Sequence, residues 1–264
     1  SAPQAEPVRL TPVLQVAGRR PELTFLLGGR RPYVIKDLAR FYEDMRTGAV
    51  TEYGKLLRFA HRRENFAPES LPLLEFLLER CGDQVTWQGG GYGYAFRAGR
   101  ELPLSPAAMD AFFELYAGRT VSWKDPEEGE TRPLRFVDGD PDLQIRVTAS
   151  QEKQGFDVLC PDIRSLDGSR HEYVRQGDAL YRCTQETSER LRDFLHAVQE
   201  GRGALFISGK DIAEFCTGVL PAIRPFVQVE EKDGLLEQYI PLRPEAEVYL
   251  DAPLPGTVTA QVTL

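Results

Sequence analysis

The sequence predicts an α+β protein in which antiparallel sheets carry packed helices, and three observations support this class. Short alternating apolar runs typical of strands recur along the chain, turn-forming residues separate them, and amphipathic helical patterns lie between them. The texture changes after Gly118, where strand-helix alternation gives way to hairpin-like segments. We therefore predict two subdomains. Residues 1–118 form a strand-helix subdomain with a basic N-terminal segment, and residues 119–264 form a β-rich subdomain with two helices and C-terminal strands.

The first subdomain begins with a hairpin and a capped helix. The stretch "PELTFLLGGRRPYVIKD" predicts two strands around a turn at Gly28 and Gly29. Asp37 is placed to cap the helix "LARFYEDMRT", and Gly48 is placed to end it. A second helix, "PESLPLLEFLLERCG", is predicted to end at Gly82.

The third helix carries the clearest local signals. Ser105 is a candidate N-cap, Pro106 fits the first helical position, and Gly118 lies where a left-handed C-cap is expected. An apolar stripe at helical spacing predicts a core-facing surface. Its members are Met109, Phe112, Phe113 and Tyr116.

Beyond Gly118 the pattern predicts hairpins, then two helices and closing strands. The helices are "ETSERLRDFLHAVQEG" and "KDIAEFCTGVLPAI", the second opened by Ser208 and Asp211 at capping-box spacing. The strand "ALFIS" precedes the second helix, and "FVQVEE", "LEQYIPL", "AEVYL" and "TVTAQVTL" follow it. One sequence pattern occurs in both predicted subdomains, and we call it the internal echo. The segments "YVIKDLARF" and "LFISGKDIAEF" both run from a strand into Lys-Asp-aliphatic-Ala-x-Phe. This leaves open whether the two subdomains are related by duplication or the match is chance.

Charge is unevenly distributed along the chain. The formal net charge is -8, whereas residues 1–63 contain twelve Arg and Lys against six Asp and Glu. One interpretation is a set of solvated faces, and the other is a local footprint for nucleic acid. The candidate phosphate contacts are Arg30, Arg31, Lys55, Arg58, Arg62 and Arg63.

Motifs for catalysis or metal binding are missing from the sequence. It has no phosphate-binding loop, no Gly-x-Ser-x-Gly elbow and no His-Glu-x-x-His pair. Four scattered cysteines and three isolated histidines lack metal-ligand spacing, so we predict free buried thiols, no metal and no cofactor. Acidic pairs in turns, Asp138 with Asp140 and Glu127 with Glu128, are interpreted as hydrogen-bond caps. A nuclease or hydrolase built from scattered carboxylates is the enzymatic alternative.

The glycine-aromatic stretch "WQGGGYGYAF", from Trp87 to Phe96, allows three interpretations. A phosphate-binding loop would lead into a helix, but the following "YAFRAGRELPL" alternates as a strand does. A hairpin with cross-strand aromatic packing is favoured. A platform that stacks single-stranded bases stays open, with Trp87, Tyr92 and Tyr94 as its candidate residues.

A family resemblance runs from about residue 23 to residue 264. It is carried by "YVIKDLARF", "YGKLLRFAHRRENFAPES", "GGYGYAFRAGRELPLSPAAMDAFFELYAGR", "EFCTGVLPAI" and "AEVYLDAPLPGTVTAQVTL". In order and spacing, these segments resemble the bacterial Snf-two-type (Swi/Snf family) helicase-associated domain. In that family the domain lies between an N-terminal zinc-binding module and a C-terminal DNA-stimulated ATPase.

The resemblance implies an accessory role and no activity for this region alone. It implies a non-catalytic domain that regulates a helicase-like ATPase through interdomain or protein contacts, with the ATPase as partner in cis. Direct DNA binding through the basic segment is the alternative. The start without methionine and the strand-like end predict a piece of a longer protein. No apolar run is long enough to span a bilayer, so we expect a cytoplasmic protein without a membrane partner, with nucleoid association as a further expectation.

Overall fold

The computed structural model describes most of the chain, and its contacts divide the chain into two units. The described residues are 6–87, 99–125, 129–161, 163–232, 234–237, 239, 247–254 and 257–263, with backbone alone at residues 17, 83–87, 247–254 and 257–263. The first unit comprises Ser1–Asp142 and Pro161–Gly203, and the second comprises Leu143–Cys160 and Ala204–Leu264. Each described sheet lies within one unit.

A nine-stranded mixed sheet is the framework of the first unit. With strands numbered in chain order, its members are β1 (Leu10–Ala17), β2 (Arg20–Leu27), β3 (Tyr33–Val34), β6 (Leu102–Pro103), β7 (Thr120–Lys124), β8 (Thr131–Asp138), β11 (Ile163–Asp167), β12 (Glu172–Gln176) and β13 (Ala179–Arg182). The hydrogen-bonded order is β11-β12-β13-β8-β7-β1-β2-β3, and β6 also pairs with β2. Only the β1/β7 and β13/β8 pairs in this sheet are parallel. The hairpin predicted around Gly28 is confirmed as β2 and β3.

Four long helices and a small hairpin complete the described part of the first unit. The helices are α1 (Leu38–Thr47), α2 (Leu71–Trp87), α3 (Pro106–Tyr116) and α4 (Gln185–Glu200), and the hairpin consists of β4 (Val50–Tyr53) and β5 (Leu57–Ala60). Short 3₁₀ turns at Arg63–Asn65 and Pro68–Ser70 lead into α2. The predicted α+β class is confirmed.

Local capping determines where α1 and α3 begin. The Asp37 side chain accepts a hydrogen bond from the Arg40 backbone N–H at 3.0 Å, and Ser105 accepts one from the Ala108 N–H at 3.2 Å. Gly48 ends α1 with a φ of 70°, in the left-handed region that favours glycine. These three predicted caps are confirmed.

The predicted end of α2 at Gly82 is wrong, because the helix continues to Trp87. A Cβ on Gly82 would lie 3.3 Å from the Tyr42 hydroxyl, so this glycine permits a side chain of α1 to approach closely. Trp87, predicted to begin the hairpin, is instead the last residue of a helix. The rest of that stretch, including Tyr92 and Tyr94, lies outside the described residues.

The aromatic face of α3 forms the centre of the first unit's core. The Phe113 ring stacks on Phe136 of β8 with centroids 5.1 Å apart, and it lies 5.2 Å from Tyr173 of β12. Phe112 contacts Phe76 of α2 at 5.9 Å. The predicted core stripe of α3 is therefore confirmed, with only Tyr116 partly exposed.

The nine-stranded sheet is curved. Strands β2 and β11 stand near opposite ends of the hydrogen-bonded order, yet they contact each other. Strand twist accumulates in one direction across a sheet, and this brings distant strands of a large sheet towards each other. The curvature brings the turn between β1 and β2 to the end of β11.

The second unit contains a four-stranded sheet and a separate hairpin. The sheet order is β14-β10-β9-β15, with β9 (Leu143–Ala149), β10 (Gly155–Leu159), β14 (Ala204–Ser208) and β15 (Val227–Glu231). The hairpin is β16 (Glu247–Leu254) and β17 (Thr257–Thr263). The strands predicted at both places are confirmed, whereas the described residues of "LEQYIPL" lie in turns.

The last helical segment of the second unit contains a π turn. It runs as α-helix at Ile212–Glu214, π-helix at Phe215–Val219 and α-helix at Leu220–Ile223. Pro221 lacks an N–H, and its ring would clash with the carbonyl of Thr217 in a regular α-helix. The wider π turn accommodates this proline. The helix begins after Asp211, whose carboxylate accepts a hydrogen bond from the Ser208 hydroxyl, so Ser208 ends the strand and does not open the helix.

The internal echo and the division at Gly118 stay predictions. Both echo segments run from an antiparallel strand at a sheet edge into a helix, but the first helix is regular and the second contains the π turn. Gly118 lies inside the first unit, so the contact-based units divide the chain differently from residues 1–118 and 119–264. The hairpins expected after Gly118 include β7/β8 and β9/β10, which are confirmed.

Truncating the central aromatic of the core should destabilise the first unit strongly. We expect Phe113→Ala to lower the free energy of unfolding by about 3–5 kcal/mol, because a buried ring is replaced by a cavity. Val50→Ala, at an exposed strand position, should change it by less than about 0.5 kcal/mol. Urea unfolding followed by circular dichroism measures both, and equal losses would contradict this account of the core.

Candidate functional sites

A groove of about 960 Å³ lies on the first unit where four segments meet. The segments are the residues preceding β1, the turn between β2 and β3, the β4/β5 hairpin, and residues 67–69 before α2. The Gly28 N–H donates to the Arg9 carbonyl at 2.9 Å, which joins the first two segments. A Cβ on Gly28 would lie 3.6 Å from Leu57 Cδ2, so the hairpin packs directly on the turn.

Four arginines line this groove. Arg30 and Arg31 lie on the turn, Arg9 precedes β1, and Arg58 lies on β5. Arg9 pairs with Glu69 at 3.5 Å, and Arg58 pairs with Glu52 at 3.4 Å. Within the described part of the chain, no carboxylate forms an ion pair with Arg30 or Arg31. The lining contains two carboxylates, Glu6 and Glu69, so its formal charge is positive.

The structure brings together three of the six predicted phosphate contacts. Arg30, Arg31 and Arg58 share the groove, whereas Lys55, Arg62 and Arg63 do not line it. Lys55 lies in the turn between β4 and β5, and Arg63 pairs with Glu75 at 3.2 Å. Arg9 was missed among the candidates, because its sequence position gives no sign that it lies beside a turn some twenty residues later.

A tyrosine and a glycine fix the hairpin that forms one wall of the groove. A Cβ on Gly54 would lie only 2.5 Å from Tyr33 Cε1, so the Tyr33 ring rests directly on the backbone of the β4/β5 turn. Gly54 also has a φ of +58°, which favours glycine. Any larger residue at position 54 would displace the ring.

A buried histidine anchors the same hairpin through hydrogen bonds to Ala49 and Tyr53. His61 Nδ1–H donates to the Ala49 carbonyl at 3.0 Å, and Nε2 accepts from the Tyr53 hydroxyl at 2.8 Å. The ring stacks on Phe59 with centroids 4.5 Å apart. Burial lowers the pKa of His61 below its ordinary value and raises that of Tyr53. Both groups are therefore neutral in the folded protein at neutral pH.

The predicted stacking platform lies largely outside the described residues. Tyr92 and Tyr94 are in residues 88–98, and only the backbone of Trp87 is described. Their role in stacking stays a prediction. The described groove supplies other apolar groups, among them Tyr33, Leu56 and Phe59.

A second polar cluster of the first unit surrounds the buried carboxylate of Glu172. This side chain is 2% exposed. It accepts hydrogen bonds from Ser165 Oγ at 3.0 Å and Arg192 Nε at 2.8 Å, and Arg19 Nη2 lies 3.5 Å away. Arg19 also pairs with Asp167 and donates to His196 Nε2.

The Glu172 cluster has the ligand types of a metal site but the electrostatics of an ion-pair network. One ligand atom each of Asp167, Glu172 and His196 lie within 4.8 Å of one another. Carboxylate and imidazole suit several divalent cations. However, the Arg19 guanidinium contacts all three groups and supplies a countercharge to the two carboxylates. The cluster is best explained as an ion-pair network around one buried carboxylate, which ties the β1/β2 turn to β11, β12 and α4.

Of the acidic residues predicted to act as caps, Asp140 does so, whereas Asp138 forms a side-chain ion pair. Asp140 accepts from both the backbone N–H and the hydroxyl of Thr184, at 2.8 and 3.0 Å, just before α4. Asp138 forms a two-bond pair with Arg182, whose guanidinium also lies 4.8 Å from the Phe113 ring centroid. Glu127 and Glu128 lie outside the described residues.

The four cysteines are free and buried, as predicted. Burial raises the pKa of Cys81 to about 12 and that of Cys160 to about 11. The nucleophile of cysteine chemistry is the thiolate, so these thiols are unreactive in the folded protein.

Neutralising Glu172 should destabilise the protein far more than neutralising a surface carboxylate. We expect Glu172→Gln to lower the free energy of unfolding by about 3 kcal/mol, since it leaves Arg19 and Arg192 without their shared buried partner. The control Glu75→Gln, which removes an exposed pair with Arg63, should cost less than about 1 kcal/mol. Chemical denaturation of both variants measures the difference, and a loss no greater in Glu172→Gln would refute a buried network.

His61 should make the protein less stable in mild acid. The folded-state pKa is below the unfolded value of about 6.5, so the unfolded state binds more protons as pH falls below that value. Stability contributed by neutral His61 is present above about pH 6.5 and is lost as pH falls towards the folded pKa. Unfolding measured between pH 7.5 and 5.5 should show a smaller loss for His61→Gln than for the wild type. His171→Gln removes a different histidine and should retain the loss, and an unchanged loss in His61→Gln would disprove the assignment.

Comparison with known proteins identifies the family of this chain. A family model described as bacterial SNF2 helicase associated matches residues 100–264, which is more than half of the sequence. The stretch from residue 23 to 99 that also carried the resemblance lies outside the matched range. Neither the curated proteins nor the solved structures give a match. None of the helices in the described ranges has the length and apolar character needed to span a bilayer. The chain therefore belongs to the bacterial SNF2 helicase-associated family.

Proposed function

We propose that this chain is a non-catalytic accessory domain that regulates a bacterial Swi/Snf-type, DNA-dependent ATPase through interdomain or protein contacts. The observation that carries the proposal is the family match over residues 100–264. An associated domain of SNF2 helicases is not itself the ATPase core, so any influence on ATP hydrolysis acts through contact with that core. The ATPase in cis is the main partner, other proteins are further partners, and the cytoplasm or nucleoid is the location.

The polar clusters of the described residues support a non-catalytic role. The buried carboxylate Glu172 is held by Arg19 and Arg192, and Asp138 is held by Arg182. Catalytic carboxylates and nucleophiles are usually poised by surroundings that leave them reactive. Here the carboxylates of both clusters are paired with arginines, and the thiols are buried.

Direct DNA binding is the second candidate function. The observation that favours it is the groove lined by Arg9, Arg30, Arg31 and Arg58 in a chain of net charge -8. Positive charge concentrated in one concave surface attracts phosphate, even when the whole protein is acidic.

The primary proposal predicts an effect on the isolated ATPase. The ATPase region of the same gene product, produced separately, should bind this chain with about micromolar affinity, as transient interdomain contacts do. Adding the chain should change the DNA-stimulated rate of ATP hydrolysis. Phosphate release with and without DNA measures the rate, and gel filtration measures the complex. The ATPase region of an unrelated Swi/Snf protein is the matched control, and neither complex nor rate change with the cognate ATPase would overturn the proposal.

A further inference from the structure

The groove concentrates cations from distant parts of the sequence. Arg9, Arg30, Arg31 and Arg58 come from three segments, and backbone contacts at Gly28 hold these segments together. The chain as a whole carries a formal charge of -8, so this surface is a positively charged region on an acidic protein. An anionic partner is the complementary ligand for such a surface.

The arginines of the groove are available to a ligand. Arg30 and Arg31 are exposed on the turn and form no ion pair with a described carboxylate. Arg9 and Arg58 do form pairs, but the side chains of Arg58 and Glu52 are each 70% exposed. Exposed pairs contribute little stability and exchange readily for other anions. Guanidinium groups match the oxygens of phosphate in two-bond geometry, which favours phosphate as the anion.

The apolar residues that line the groove favour single-stranded over double-stranded nucleic acid. Leu56 is 69% exposed at the tip of the β4/β5 hairpin, and Tyr33 and Phe59 also face the groove. A duplex presents phosphates and sugars at its surface, and its bases are stacked inside. A single strand offers bases that pack on aromatic and apolar side chains beside a basic track.

We propose that this groove binds single-stranded DNA, with Arg30 and Arg31 contacting phosphates and Leu56 and Tyr33 contacting bases. The inference rests on the second candidate function, direct DNA binding, and is independent of contact with the ATPase. It divides seven cations of the basic segment into two sets. Arg9, Arg30, Arg31 and Arg58 bind the ligand, whereas Lys55, Arg62 and Arg63 are solvated surface residues.

The test compares two pairs of adjacent arginines. Fluorescence anisotropy of a labelled oligodeoxythymidine of about 16 nucleotides measures binding to the present chain across salt concentrations of about 50 to 200 mM. The variant Arg30→Ala/Arg31→Ala should bind at least about tenfold more weakly at the lowest salt, and its slope of log K against log salt should be shallower by about 1.4, the value for two lost phosphate contacts. The matched control Arg62→Ala/Arg63→Ala removes the same charge outside the groove and should bind within about twofold of the wild type.

A third variant tests the apolar part of the groove. Leu56→Ala should weaken binding by roughly fivefold, because it removes apolar surface that would be covered by a base. Its salt slope should equal that of the wild type, since no phosphate contact is lost. Thermal unfolding checks that every variant is folded. We expect each to be stable, because the residues changed in all three variants are exposed.

Several results would overturn the proposal. These are no binding at low salt, equal weakening by the two arginine pairs, and a duplex of the same length or a poly-glutamate peptide competing as well as the single strand. Each of them would leave the ATPase assay unaffected, so failure of this inference and failure of the primary proposal are distinguishable.

Discussion

The carboxylate of Glu172 is the constraint on which much of the first unit depends. A carboxylate with 2% exposure is costly unless it is paired, and its partners come from elements far apart in sequence. Arg192 reaches it from α4, and Arg19 reaches it from the turn between β1 and β2. The same Arg19 pairs with Asp167 at the end of β11. One buried charge therefore fixes where the β1/β2 hairpin lies relative to the opposite end of the curved sheet.

The β1/β2 hairpin has different chemistry at its two ends. Each strand contains eight residues, so the ends are separated by about 26 Å at the usual rise per residue. At the turn, Arg19 is neutralised by partly or fully buried carboxylates. At the open end, Arg9, Arg30 and Arg31 face the groove. Burial thus separates the arginines that stabilise the fold from those available to a partner, although the residue type is the same.

Local signals in the sequence predicted local structure, and they failed where a distant residue decided the outcome. The caps at Asp37, Ser105 and Gly48 involve residues a few positions apart, so a short window contains their cause. Gly82 resembled a helix stop, but its role is to admit the Tyr42 side chain from another helix. The Glu172 network links residues 148 and 153 positions apart through Arg19, and no spacing rule reveals such partners. The groove follows the same logic: the basic segment was visible in the sequence, but the tertiary structure selects which of its arginines converge.

Contacts within the protein hold the walls of the groove in place without a ligand. A preformed groove would bind a ligand more tightly than a flexible one. Tyr33 rests on the backbone at Gly54, Leu57 rests on Gly28, and His61 ties the β4/β5 hairpin to the Ala49 carbonyl. A preformed site does not lose backbone entropy on binding, so more of the contact energy appears as affinity. Only the neutral ring can accept the hydrogen bond from the Tyr53 hydroxyl at Nε2, so protonation of His61 would remove this second tie. The shape of the arginine-lined surface is therefore linked to a buried group that titrates below its ordinary range, and both depend on the close packing of one small hairpin against the main sheet.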